Sequence, residues 1–504
     1  LNEKSLFLIF ISFMKNLSAP TIGLLLGPLS FIFILFFATP DDLSREGVAM
    51  MAATSWVAIW WITEAVPIAA TSLLPLVLFP LLGVMGIKET SIAYSDPMVL
   101  LYMGGFMVAV AIEKWNLHKR IALAIIAVIG TDLKRIVLGF MVATAFLSMW
   151  ISNTATALMM LPIGMAVVGQ LGTNLRGTSI TENQIGQALM LGIAYSASIG
   201  GMATIIGTPT NIVLVGVIRE MYDVEIGFAQ WMTLGVPVAV GLLVICWIYL
   251  VKIAYPFPAM EMPGGKEEIK RQIALLGKMS PEEKRVLFVF VLVAFCWMSR
   301  TLLLNSIFPG LDDTIIALIG ALILFLLPAS KNNKGRLLDW KTAEKLPWGI
   351  LLLFGGGLTI AAGFQVTGLA QWIGVQFVLL ENVAFWLFLL AIITAVNFLT
   401  EITSNTATAS MILPILAAVA LAMGVHPYGL MVSATMAASC AFMLPVATPP
   451  NAIVFGSGYL TIPVMMKVGI WMNILSIILL ACITYFLLPL FWNFDMNVFP
   501  DEFL

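Results

Sequence analysis

Two short polar stretches interrupt an otherwise apolar chain, and they are nearly the same stretch. Ser152-Asn153-Thr154-Ala155-Thr156 recurs 252 residues on as Ser404-Asn405-Thr406-Ala407-Thr408. Each is followed at equal distance by Leu-Pro, at Leu161-Pro162 and Leu413-Pro414. Upstream, Gly104-Gly105 registers with Gly356-Gly357 and Leu117 with Leu369, so residues 104–162 and 356–414 align without a net gap. A second echo pairs Gly207-Thr208-Pro209-Thr210-Asn211 with Ala447-Thr448-Pro449-Pro450-Asn451, now 240 apart. The shortfall fits a polar insert near Leu171–Gln187. Ser, Asn and Thr donate hydrogen bonds without the desolvation cost of a full charge. A helix starting at such a tip offers free backbone N–H groups and the positive end of its dipole, which attract an anion. Two tips together could hold an anion with two separated carboxylates. Neither tip contains Lys or Arg, so neutral donors are expected to balance the charge, with room for bound cations to help. Unwound backbone at Gly207–Pro209 and Ala447–Pro449 would expose carbonyl oxygens that suit Na+. Ser148 and Thr400, one helical turn before each tip serine, are placed to add hydroxyl oxygens.

The elements that must position these tips follow from composition. Of the 504 residues 61% are hydrophobic and only 10% charged, with a mean hydropathy of +1.02. Soluble domains carry about 25% charged residues, so an all-α polytopic membrane protein is expected, with about 11 transmembrane helices plus two re-entrant hairpins. Ile136–Val168 and Ala384–Met423 are too long for one crossing and carry a tip in the middle. A hairpin of two half-length helices buries that tip in protein rather than in lipid. Ile185–Glu220 and Met431–Gly458 read as spanning helices broken at Gly207–Asn211 and at Ala447–Asn451. The hydrophilic stretch Tyr255–Arg285 separates the two copies, and Trp115–Gly130 and Leu369–Leu380 read as surface helices. Asn2 to Ser18 reads as an interfacial lead-in.

Basic residues set the orientation. With a cytoplasmic N-terminus, all but four of the 25 Lys and Arg lie on or beside cytoplasmic loops; Arg45, Lys88, Arg219 and Arg300 are the exceptions. That is the positive-inside pattern. It puts the C-terminus outside and makes the copies inverted repeats, the first hairpin opening to the cytoplasm and the second to the exterior. Inverted repeats with broken helices suit a carrier that holds its cargo near the midplane.

The paired SNT motifs, the TPTN and TPPN segments, and the run from Thr448 to Gly458 resemble the divalent anion/sodium symporter family, including INDY-type bacterial dicarboxylate transporters. The resemblance runs from about Leu24 to Leu490. It implies an elevator-type secondary transporter of dicarboxylates (the succinate, malate and fumarate class) in the bacterial cytoplasmic membrane, usually a homodimer, with Na+ as coupling ion and no other cofactor. It implies substrate contacts from Ser152, Asn153, Thr154, Ser404, Asn405 and Thr406, with Pro449 nearby. Its first sodium site maps to Ser148, Ser152, Asn153 and Gly207, and its second to Thr400, Asn405 and Ala447. It also implies a scaffold of residues 1–133 and 285–382, a transport unit of 134–255 and 383–504, and a linker at 256–284. The chain departs from the motif at Thr210, where the second copy has Pro450. Sodium-independent dicarboxylate exchangers share the SNT motifs, so symport is the expected mode with exchange as its alternative and an anion channel as a more distant one.

Other features read more plainly. Cys246, Cys296, Cys440 and Cys482 lie in apolar runs and read as buried thiols, and two histidines are too few for a metal site. The lack of HExxH, GxSxG or a phosphate loop argues against an enzyme or a primary pump. No nucleic-acid partner is expected; membrane lipid is. Trp60, Trp61 and Trp492 read as interfacial aromatics. Thr156 and Thr408 are expected to satisfy backbone or pack, and Thr208 and Thr448 to cap a helix or wall the site. Among acids near spans, Glu64 would cap or pair and Glu113 be solvated or paired beside Lys114. Glu401, three residues before Ser404, would pair internally or respond to pH. Asn16 matches a glycosylation sequon on the cytoplasmic side, where it has no meaning.

Overall fold

The computed structural model describes residues 18–38, 40, 42–130, 132–172, 181–258, 265–330, 335–377 and 384–503. The expected lead-in of Asn2 to Ser18, apart from Ser18 itself, and the sequon at Asn16 lie outside these, as do residues 173–180 of the polar insert near Leu171–Gln187. The described chain is a helical multi-pass membrane protein. Its principal helices are α1 (Ala19–Phe37), α2 (Arg45–Thr63), α3 (Leu74–Leu82), α4 (Pro97–Lys114), α5 (Leu117–Ile129), α6 (Leu133–Ser148), α7 (Asn153–Gly172), α8 (Glu182–Gly201), α9 (Pro209–Tyr222) and α10 (Phe228–Ile248). After the hydrophilic α11 (Gly265–Leu276) come α12 (Pro281–Ser299), α13 (Asp313–Leu326), α14 (Trp348–Val366), α15 (Leu369–Phe377), α16 (Phe385–Leu399), α17 (Asn405–Ala422), α18 (Pro427–Ala438), α19 (Pro449–Phe455) and α20 (Ile462–Cys482). Among the described residues, eight helical segments are long and apolar enough to cross a membrane, joined by three shorter apolar helices. Of the interrupted helices, α9, α18 and α19 fall short of that length at 14, 12 and 7 residues, whereas α8 has 20 residues but is not among the eight.

Local sequence explains where these helices start and stop. Asp132 Oδ1 accepts from Arg135 N at 3.0 Å and Asp312 Oδ1 from Ile315 N at 2.7 Å; such caps satisfy donors that the helix leaves free. Ser280 and Glu283 form a reciprocal capping box, with Pro281 at the first helical position. Glu64, Asn116 and Asp223 turn the chain through positive φ at helix ends. Glu64 therefore serves a tight turn. Lys114 pairs with Asp339 at 2.6 Å rather than with its neighbour Glu113, which is half-buried.

The core sits on α8 and α18. Nearly every residue of both is buried, the pattern of a helix enclosed on all sides. In each copy the first half of the broken helix lies against its own hairpin, α6 and α7 on α8, α16 and α17 on α18. The second halves cross over: α19 packs against α7, and α9 packs against α17. The two copies are thereby interlocked. At the periphery α1 leans on α2 through Gly23 and Gly27, its two buried residues, the small-xxx-small contact of membrane helices.

Three expectations need correction. Trp61 is not interfacial: it is buried, and its indole donates to Ser72 Oγ at 3.2 Å. Two thiols, Cys246 and Cys440, are buried, but Cys482 is exposed. The breaks begin earlier than the motifs, since α8 ends at Gly201 and α18 at Ala438. Asn211 and Asn451 lie within the second half-helices. A proline at the first position of each half-helix, Pro209 or Pro449, restarts the helix where its missing N–H costs nothing.

Candidate functional site

Each tip joins two arms of a hairpin, and the residues on it divide into an accessible rim and a buried layer. Thr154 is exposed and Ser152, Asn153, Ser404 and Asn405 half-buried; Pro449 is exposed. Behind them Ser148, Thr400, Thr156 and Thr408 are fully buried, and Thr406 is nearly so. Ser152 Oγ caps α7 by accepting from Ala155 N at 3.2 Å. Ser404 makes no such side-chain cap on α17.

The buried layer brings oxygens together. Ser148 Oγ lies 2.5 Å from Asn153 Oδ1 and 2.7 Å from the Ala197 carbonyl oxygen. The same end of the Asn153 amide lies 3.1 Å from Ala197 O and 3.2 Å from Gly207 O. With Oδ1 turned inward, four oxygens converge, a donor set that suits a hard cation. With the amide turned over, Nδ2 donates to the same three oxygens and the cluster satisfies itself. The second copy repeats the arrangement. Thr400 Oγ1 lies 2.5 Å from Asn405 Oδ1 and 2.9 Å from Ala438 O. Among the described residues no group of three His, Cys, Asp or Glu side chains is placed to hold a metal, so oxygen from hydroxyl, amide and backbone is the chemistry on offer.

Glycine makes room for the first cluster. A Cβ on Gly201 would come 2.7 Å from Asn153 Oδ1, and one on Gly207 would come 3.0 Å from Ser148 O. The second copy has Ala441 and Ala447 at these positions.

The two breaks meet. Thr210 Oγ1 and Ser439 Oγ share a hydrogen bond at 2.8 Å, and Cys440 Sγ lies 3.9 Å from Met202 Sδ, each joining the break in one copy to the break in the other. Tyr195 and Phe442 stack edge to face beside them at 5.0 Å. Thr210, the departure from the double-proline motif, is thus the residue that makes a cross-copy bond.

Of the residues that the sequence singles out, Ser148, Asn153 and Gly207 meet in the first cluster, and Thr400 and Asn405 in the second. Ala447 follows Leu444 in the second break, its N–H donating to Leu444 O at 3.2 Å. Thr448 Oγ1 caps α19 by accepting from Asn451 N at 3.3 Å, whereas Thr208 makes no cap on α9. Thr408 Oγ1 pairs with Thr403 Oγ1 at 2.6 Å. Sequence reasoning misses the Ala197 and Ala438 carbonyls, which carry no side-chain signature and whose spacing of 241 matches neither repeat offset, 240 or 252.

Glu401 pairs internally. Its carboxylate accepts from Phe442 N at 2.7 Å, Met443 N at 2.9 Å, Leu444 N at 3.1 Å and Asn473 Nδ2 at 2.7 Å. Three successive N–H groups of the second break are thereby satisfied by one buried anion. Met149 stands at its first-copy position; there Met149 O accepts from Thr204 Oγ1 at 2.5 Å.

A second ionic cluster, unforeseen, closes another end of the molecule. Arg300 is buried and bridges Asp313 at 2.9 Å and Glu225 at 2.8 Å, while Asp313 also accepts from Phe228 N at 2.8 Å. It ties the loop before α10 to α12 and α13.

Known proteins resemble this chain in sequence and in fold. The family model of the sodium:sulfate symporter transmembrane region matches residues 20–493. The sodium-dependent dicarboxylate transporter SdcS of Staphylococcus saprophyticus is 48% identical over 481 residues, covering 94% of this chain and 93% of its own. SdcS of Staphylococcus aureus (strain USA300) is 47% identical over 483 residues, covering 94% and 92%. Two solved structures share the fold at low identity. Neisseria gonorrhoeae MtrF, described among antimetabolite efflux pumps, matches with a TM-score of 0.60 at 13% identity, covering 95% of this chain and 98% of its own. The Alcanivorax borkumensis YdaH transporter matches with a TM-score of 0.58 at 12% identity, covering 87% and 99%. The chain belongs to the divalent anion/sodium symporter family, matched along its sodium:sulfate symporter transmembrane region.

Proposed function

We propose that this protein carries dicarboxylates of the succinate, malate and fumarate class across the bacterial cytoplasmic membrane together with Na+. The observation that carries this reading is the duplicated oxygen cluster, Ser148–Asn153–Ala197 and Thr400–Asn405–Ala438, each at the start of a long helix. Relatives named sodium-dependent dicarboxylate transporters, at 47–48% identity over 94% of the chain, support it.

The chemistry follows from one amide serving two cargoes. One Na+ draws on Ser148, Ser152, Asn153 and Gly207, and another on Thr400, Asn405 and Ala447. With Oδ1 of Asn153 and Asn405 turned to the cations, each Nδ2 is left to face the dianion. Ser152, Thr154, Ser404 and Thr406 add hydroxyls, Pro449 walls the space, and the N-terminal dipoles of α7 and α17 add positive potential. The cations offset the charge that no Lys or Arg offsets. Cargo and ions therefore bind poorly apart and well together, which is the requirement of symport.

Movement is proposed to follow the elevator pattern. Residues 134–255 and 383–504 form the transport unit and 1–133 and 285–382 the scaffold, joined by the linker 256–284. The interlocking of α7 with α19 and of α9 with α17 supports a transport unit that moves as one body. The assembly is proposed to be a homodimer with cytoplasmic N-termini and external C-termini.

Uptake of labelled succinate into proteoliposomes tests the reading. A Na+ gradient with an empty interior should drive uptake. Uptake that instead needs internal dicarboxylate and ignores Na+ would identify an exchanger.

A further inference from the structure

Both break motifs end in an asparagine that neither tip uses. Asn211 and Asn451 are fully buried, at the third position of α9 and α19. Asn211 Nδ2 reaches back across the break to Gly201 O at 3.4 Å, Met202 O at 3.3 Å and Thr204 O at 2.8 Å. Asn451 Nδ2 reaches Ala441 O at 3.2 Å and Leu444 O at 3.0 Å. Gly201 and Ala441, like Thr204 and Leu444, are equivalent positions 240 apart. The two halves have built the same clamp from different neighbours. A helix end leaves its last carbonyls without intrahelical partners, and in a buried membrane segment water does not replace those partners. The amide does.

The clamp reaches the oxygen cluster in one step. Thr204 O accepts from Asn211 Nδ2 and also from Gly207 N at 3.3 Å; Leu444 O accepts from Asn451 Nδ2 and from Ala447 N at 3.2 Å. The peptide unit whose N–H is thus fixed leads into Gly207, whose own carbonyl lies 3.2 Å from the Asn153 amide. Gly201, also clamped, lies so close to that amide that a Cβ there would come 2.7 Å from Asn153 Oδ1. Among the described residues, both asparagine Oδ1 atoms are buried with no hydrogen-bond partner. An orphaned buried acceptor is costly, and both halves bear that cost to keep the donor.

We propose that Asn211 and Asn451 are positioning residues for Na+: each holds its break so that the carbonyl of Gly207 or Ala447 points at the ion. This rests on the reading of the protein as a Na+-coupled carrier. Loss of one clamp should weaken Na+ binding at its own site and leave dicarboxylate recognition by the tips nearly intact once Na+ is saturating.

The test measures succinate uptake in proteoliposomes against Na+ concentration for the parent, Asn211→Ala, Asn451→Ala and the corresponding Ser variants. The Ala variants should raise the half-saturating Na+ concentration about tenfold, the worth of one hydrogen bond. The KM for succinate at saturating Na+ should stay within about twofold, a change too small to match a lost hydrogen bond. Serine, a shorter donor, should fall between Ala and the parent. An unchanged Na+ requirement in a Na+-dependent parent overturns the assignment, even if maximal rate or thermal stability falls. So does failure of both Ala and Ser variants to fold at high Na+, because a merely structural clamp behaves that way. A parent whose uptake ignores Na+ overturns the carrier reading itself and this inference with it.

Discussion

Thr210 and Ser439, from opposite halves of the chain, share a hydrogen bond of 2.8 Å where the two broken helices meet. Pro450 holds the position equivalent to Thr210, so the bond is made once rather than twice. Thr210→Val or Ser439→Ala should each cost about 1 kcal/mol, as a buried neutral hydrogen bond does. The double variant should cost little more than either single one. A thermal-unfolding double-mutant cycle in detergent measures the coupling, and strictly additive costs would mean that the two hydroxyls do not interact.

Gly207 is confined by neighbours that cannot easily give. A Cβ there would lie 3.0 Å from both Ser148 O and the Gly201 Cα, so Gly207→Ala should displace the first break at a cost of about 1–3 kcal/mol. The expected readout is a weaker Na+ response of succinate uptake. Ala447→Gly removes a methyl and should change that response much less. Equal effects from the two would contradict the packing difference between the copies.

Glu401 replaces missing backbone partners. Removing its carboxylate takes the acceptor from the N–H groups of Met443 and Leu444 and from the Asn473 amide, while Phe442 N–H keeps Asn473 Oδ1 at 3.2 Å. Glu401→Met, which copies the residue of the first half, should therefore destabilise the protein by about 1–3 kcal/mol for each buried donor left unsatisfied. Glu401→Gln should lose less. Thermal midpoints of the purified variants check the order, and a stable Met variant would show that the break is held by other means.

Acid should destabilise the fold through its two histidines. Burial pushes both His118 and His426 down from 6.5 to about 4. Each is neutral in the folded state, so its contribution to stability is complete above pH 6.5 and is lost as the pH falls toward 4. Thermal midpoints should drop across that window. The drop should shrink in a His118→Asn/His426→Asn variant, and a profile that does not respond to that substitution would assign the acid sensitivity to other groups.

Much of the architecture is legible in the sequence because it is written twice. The apolar run from Trp348 to Val366 predicts a span, and the helix has those bounds. The tips, hairpins and breaks follow from polar residues where lipid tolerates none. What escapes sequence reasoning is what depends on backbone or on distant partners. The carbonyls of Ala197 and Ala438 look like any other. Glu401 finds its donors 41 to 72 residues away. Trp61 looks interfacial until α2 is seen folded against Ser72. Arg300 is one of the few basic residues that the charge pattern leaves off the expected cytoplasmic side, and only the fold reveals Asp313 and Glu225 as its partners.

The central claim is that both tips grip one dicarboxylate. Succinate uptake by Asn153→Ala and by Asn405→Ala, each shown by thermal unfolding to be folded, tests it most directly. Each variant alone should abolish uptake in the presence of a Na+ gradient. Parental rates from either one would contradict a site shared between the two halves.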